Sequence, residues 1–157
     1  MSRHRYLIGS LPLVAVLVLS TLTATPAAAD TKLGVRLGYY TDIGEPFVGA
    51  ELLSRLRPRL YFNPNFEWVF VEGARYFTLN GDVHYDFPTH SRTYIWAGAG
   101  LAVISFNPDG PIEGNTDLGL NLLGGIGLRT HGAIPYFQAK VIVKDGSEFV
   151  IAFGVRF

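Results

Sequence analysis

The last ten residues, Glu148 to Phe157, read E-F-V-I-A-F-G-V-R-F and constrain this chain more than any other stretch. Phe149, Ile151, Phe153, Val155 and Phe157 take one set of alternating positions; Glu148, Val150, Ala152, Gly154 and Arg156 take the other. Side chains of an extended strand alternate between its two faces, so one face is bulky and apolar and the other small or charged. Such a strand has two homes. In a soluble protein the apolar face turns into a core, whereas in a membrane barrel it turns outward to lipid and the other face lines the interior.

The alternation recurs along the chain. Strands are read at 32–40, 47–56, 59–70, 75–87, 93–106, 117–129 and 134–144, separated by Gly, Pro, Asp and Asn of turn type, with the longest loop at 107–116. No sustained helical period interrupts them. Together with the last ten residues they predict an all-β chain, an eight-stranded antiparallel up-and-down transmembrane barrel, eight being the smallest usual strand number. Residues 1–29 are excluded from that barrel. Arg3 and Arg5, an apolar run over 11–22 and Ala27-Ala28-Ala29 before Asp30 make a secretory signal peptide. The run falls short of the ~20 apolar residues of a helical span. The barrel is therefore assigned to 30–157.

Without Arg3 and Arg5, eleven basic residues face thirteen acidic ones, a charge of −2 that offers no footprint for nucleic acid. The absence of cysteine removes disulfides, thiolate metal sites and amino-terminal lipidation.

Nine of the eleven phenylalanines, with Trp68, share the apolar faces. The opposite faces carry Arg36, Glu51, Arg55, Glu67, Asp82, Asp86, Arg129, Lys140, Lys144, Glu148 and Arg156. An eight-stranded barrel is just wide enough inside for side chains to fill. Ten large rings would overfill it, so the rings point out. The charges, joined by His84, then form a lumenal polar network. Buried charges have to be paired, and near balance between signs favours a plug over an aqueous channel. Two pairings are expected. Tyr40 opposite Phe47 places Arg36 directly across from Glu51. Lys144 opposite Glu148 leaves a three-residue loop, 145–147; Asp-Gly favours a two-residue turn, but that slip flips one strand's faces.

His84 lies between Asp82 and Asp86 on its own face, a pattern open to an acid–base or metal reading. Alternating interior residues of a plugged barrel give the same neighbours, so no catalytic residue, metal or cofactor is expected. The runs Gly98-x-Gly100 and Gly124-Gly125-x-Gly127 lack the following helix of a phosphate loop and read as room for large side chains across the lumen. Asp109 and Glu113, with Asp117 just after them, offer the carboxylates of a weak calcium site but read by default as a solvated loop, and Ser54 and Ser105 have no outward histidine partner in the strand pattern.

The signal peptide, Y-I-W-A-G-A-G at 94–100, D-L-G-L-N-L-L-G-G-I-G at 117–127 and the ending P-Y-F-Q-A-K … F-G-V-R-F carry a family likeness. The chain resembles the small outer-membrane barrels of Gram-negative bacteria, the OmpA-type transmembrane domain and the opacity- and porin-like barrels. The resemblance implies export to the outer membrane, with its lipid and the barrel-assembly machinery as partners and Phe157 as the assembly signal. Ala152 stands where that signal usually has glycine. The function expected is that of a non-enzymatic barrel, structural or interacting through its outer loops. The alternative is a narrow porin-like conduit or binder for a small solute, and a lipid A-modifying enzyme ranks below both. The sequence names no surface partner.

Overall fold

The computed structural model describes residues 31–111 and 113–157. The signal-peptide assignment, 1–29, lies outside them. The strands are β1 Thr31–Tyr40, β2 Glu45–Arg57, β3 Leu60–Val69, β4 Ala74–Asp86, β5 Thr93–Pro108, β6 Asn115–Leu128, β7 Ile134–Lys144 and β8 Gly146–Arg156. Each pairs antiparallel with the next and β8 closes onto β1, giving a closed eight-stranded barrel. Thr31 and Arg156 mark one end, the terminal end; the turn between β1 and β2 marks the other, the loop end. Strand boundaries shift by a few residues from the sequence reading. Most notably, β5 and β6 continue their ladder to Phe106↔Asn115, which trims the longest loop.

The outward faces are apolar on every strand. Leu37, Leu52, Phe66, Leu79, Leu101, Leu120, Phe137 and Phe153 are all exposed. Among the described residues only one outward strand position between the rims' turns is charged, Arg75 at the second residue of β4.

Pro64 sits within β3, where it lacks the N–H that a ladder needs. The pairs Glu51↔Asn65 and Ser54↔Phe62 set Leu52 opposite Pro64. The Asn63 side-chain amide supplies the missing donor, reaching the Leu52 carbonyl at 2.7 Å. A register shift between Arg55 and Arg57 then ends the β2–β3 ladder.

The interior corrects one expectation. It holds more than glycines and charges: Tyr40, Phe47, Val69, Tyr76, Ile104, Ile142 and Val150 fill the loop end, and Tyr94, Trp96, Leu123 and Tyr136 pack toward the terminal end. Glycine opposite bulk makes room for them. Trp96 pairs with Gly125, Tyr94 with Gly127, Tyr136 with Gly154, His84 with Gly98 and Asp82 with Gly100. Each large side chain lies over the bare backbone of its partner. A Cβ on Gly125 would come within 2.2 Å of the Trp96 ring and 2.7 Å of the Phe137 carbonyl. Gly125→Val is therefore expected to destabilise by about 1–3 kcal/mol through overpacking. Urea unfolding measures it, and Trp96→Phe in the same chain should restore part of the loss.

The same packing sets two registers differently from the sequence reading. In the first hairpin Tyr40 pairs with Glu45 and Arg36 with Gly49, while Glu51 faces Gly34. The expected register would have set Arg36 against Glu51, and Gly38 against Gly49, crowding one level and emptying another. A four-residue turn, 41–44, closes the hairpin: Gly44 takes φ +73° and donates to the Tyr40 carbonyl at 2.9 Å. In the last hairpin Ile142 pairs with Glu148 and Lys144 with Gly146. Lys144 does not face Glu148. The expected faces are kept and a plain two-residue turn is absent there, but the register moves by two, which brings Tyr136 over Gly154 instead of against Arg156.

Candidate functional site

The middle of the lumen is a charge-balanced network. Arg36, Lys140 and Arg156 face Glu51, Glu67 and Asp82, and all six are at most 3% exposed. Strand alternation places them: Arg36 on β1, Glu51 on β2, Glu67 on β3, Asp82 on β4, Lys140 on β7 and Arg156 on β8 all take inward phase. Glu67 is the hub. Lys140 Nζ lies 3.1 Å from both its carboxylate oxygens and Arg36 Nη2 3.2 Å from Oε1. The Tyr40 hydroxyl donates to Oε2, as does Thr78 Oγ1 at 3.1 Å. Glu51 is held by Arg156, whose Nε reaches Oε1 at 2.8 Å, and by Asn63 Nδ2 at 3.1 Å. Arg36 joins the two halves, with Nη1 3.6 Å from Glu51 Oε2. Sequence reasoning thus reached the pair Arg36 and Glu51 through a register the protein does not use; the guanidinium gets there diagonally.

Asp82 is bound by amides. Asn65 Nδ2 donates to it at 3.0 Å and Asn121 Nδ2 at 2.7 Å. Asn121 also bonds Asn80 Oδ1 at 2.9 Å, and Asn80 bonds Thr78 at 3.0 Å, which ties the acid back to the Glu67 hub. Carrying these charges out of water costs several kcal/mol each, and such a network offsets that cost only when partners surround every group. The uncharged members Asn63, Asn65, Thr78, Asn80 and Asn121 were absent from the charge-based reading. Their inward phase on the strands was the available signal.

Other sequence-derived candidates sit elsewhere. His84 is buried between the rings of Tyr61 and Trp96, with Nε2 3.5 Å from Asp86 Oδ1. It does not form a triad with Asp82. Glu148, 5% exposed, lies at the loop-end rim, where it accepts from the Asp42 backbone at 3.1 Å. Lys144 reaches Asp117 at 3.9 Å on the same rim. Arg55 and Arg129 are exposed at the terminal end, the latter stacked over Tyr94 at 4.8 Å. These last three belong to the rims instead of the buried lumen. At the end of a strand inward phase no longer means enclosure, and a long cation reaches water. Phe157, 65% exposed, follows β8 at the terminal end and donates its N–H to Leu33.

The network separates two mouths. A 270 Å³ pocket at the loop end is lined by Tyr76, Ile104, Phe106, Asp117 and Lys144 among others. A 240 Å³ pocket at the terminal end is lined by residues including Tyr61, Asp86, Tyr94, Arg129 and Arg156. Arg156 closes the floor of the second, its guanidinium 4.1 Å from the Tyr136 ring centre and 5.3 Å from that of Trp96.

No protein-family model matches the chain, and no curated protein matches it in sequence. Solved structures match it in fold. Neisserial surface protein A is 16% identical with a TM-score of 0.66, over 80% of this chain and 95% of that one. The N-terminal β-barrel domain of Pseudomonas aeruginosa OprF is 13% identical with a TM-score of 0.63, over 81% and 96%. The outer membrane enzyme PagL is 14% identical with a TM-score of 0.53, over 80% and 98%. At these identities the likeness is one of fold: this chain has the architecture of the eight-stranded outer-membrane barrels.

Proposed function

We propose that the chain is an integral outer-membrane barrel, without catalytic chemistry and without a through-pore, that acts as a membrane scaffold and makes its contacts through its two ends. The carrying observation is the pairing of an apolar exterior with a charge-balanced plug. Strands of 10 to 16 residues suit the tilted strands of about 9–11 residues that a bilayer needs. The exterior between the rims would be an extensive apolar surface in water, far beyond what soluble monomers expose. Inside, Glu67 of β3 meets Lys140 of β7 across the lumen and Glu51 of β2 meets Arg156 of β8 over β1, an arrangement that supports a closed plug over an aqueous file. Of the two serines weighed as nucleophiles, Ser54 Oγ lies 3.2 Å from Thr31 Oγ1 and Ser105 Oγ accepts from Asn107 at 2.9 Å; the partner in each contact is a hydroxyl or an amide and not a base.

Folded protein should migrate differently from heat-denatured protein on cold detergent gels, and the folded form reconstituted in planar bilayers should show no steady conductance. Stable unitary current steps would establish the narrow conduit instead. Loss of an acyl chain from lipid A incubated with the folded protein, read by mass spectrometry, would establish an enzyme.

A further inference from the structure

The charges left outside the lumenal network are sorted by end. Among the described residues the terminal end carries Lys32, Arg55, Arg57, Arg59, Arg92 and Arg129 against one acidic side chain, Asp86. The loop end carries eight carboxylates, Asp42, Glu72, Asp109 and Glu113 among them, against Arg75 and Lys144. A chain close to neutral overall is thus basic at one rim and acidic at the other, with a balanced plug between. Nothing in the barrel's closure requires that sorting, since inward phase fixes faces and not ends.

The basic rim also has a defined border. Arg57 ends β2 and Arg59 sits in the tight turn before β3, both exposed, with Arg59 at φ +66°. The Arg59 carbonyl accepts from the Asp86 N–H at 2.8 Å, which fixes the turn beside the end of β4. There the outward neighbours are Leu56, Tyr85 and Phe87, which are 53%, 40% and 42% exposed. Arg92, in the next turn at this end, is exposed too. Guanidinium groups therefore stand where the apolar belt stops. In a bilayer that is the level of the headgroups, and a guanidinium binds a phosphate diester through paired N–H donors.

Resting on the membrane reading above, we propose that this rim is a binding collar for anionic phospholipid headgroups, with Arg57, Arg59 and Arg92 as principal contacts.

The test uses the folded, reconstituted protein with spin-labelled phosphatidylglycerol or phosphatidylcholine at trace level in phosphatidylcholine vesicles. Any motionally restricted lipid component, with either label, reports a barrel in the bilayer, so its absence would overturn the membrane reading itself. The collar is read from the difference between the labels. Phosphatidylglycerol should associate about five-fold more strongly than phosphatidylcholine, the attraction of one cation held near an anionic headgroup. That preference should collapse in high salt and in R57Q/R59Q/R92Q, and persist in the loop-end control R75Q/K144Q. Should the triple variant fail to fold, the salt dependence of the wild-type preference still decides. Equal association of the two lipids, a preference untouched by the triple variant or by salt, or retention of the protein on purified cell-wall sacculi without lipid preference would each overturn the collar.

Discussion

Glu67→Ala is expected to destabilise the folded barrel by about 3–5 kcal/mol, the cost of breaking a buried ion pair from one side. Glu67 is fully buried and accepts from Lys140, Tyr40 and Thr78 while facing Arg36. Its loss leaves the Lys140 ammonium without its carboxylate and the Tyr40 hydroxyl without its acceptor. Arg36 keeps only the longer contact to Glu51 at 3.6 Å. The sign of the effect depends on which partner remains, so a second variant makes the test specific. Glu67→Met with Lys140→Met removes both charges, fills much of the volume and should recover most of the loss, as apolar replacements of buried pairs do. Urea unfolding in vesicles, followed by the mobility of the folded form on cold gels, gives both numbers. A loss below about 1 kcal/mol for Glu67→Ala would place the hub in the class of solvent-screened pairs and refute its burial.

Leu101→Arg separates lipid from water on the outer surface. Leu101 is 66% exposed near the middle of β5, between Gly81 of β4 and Leu120 of β6. At the bilayer midplane an outward arginine costs about 2–4 kcal/mol. On a soluble surface the same exchange at so exposed a position stays within about 0.5 kcal/mol. Depth gives the control: Leu128→Arg, at the terminal end of β6, should cost only about 0–1 kcal/mol. Equal, small losses at both positions, or gains in solubility without detergent, would refute an outer surface facing lipid.

The eight strands, their inward and outward faces and the outward phenylalanines were legible because a period of two is written directly into the residues. Face assignment survives errors of strand boundary, which is why Leu118, Leu120 and Leu122 of β6 were placed outward although β6 begins two residues before the expected start. Ring orientation was legible in part. The inference that an eight-stranded lumen cannot hold all the rings is right for the phenylalanines set outward, yet Phe47, Trp96 and four tyrosines are housed inside. They fit because glycine stands across from most of them, a compensation that becomes visible only after the strands are paired.

Register and enclosure are where the sequence by itself stopped. It determined that Arg36, Glu51, Glu67, Lys140 and Arg156 share the inner face, since each falls in the same phase as its strand's small or polar residues. It did not determine which of them meet. A shift of two residues between strands preserves every face, so alternation is blind to it; the tertiary structure chose by volume, setting Arg36 against Gly49 and Tyr136 against Gly154. Nor did inward phase tell Lys140 from Lys144. The first is enclosed by seven other strands at mid-barrel and salt-bridged to Glu67, the second stands at a rim where water solvates it, and only closure of the sheet makes that distinction.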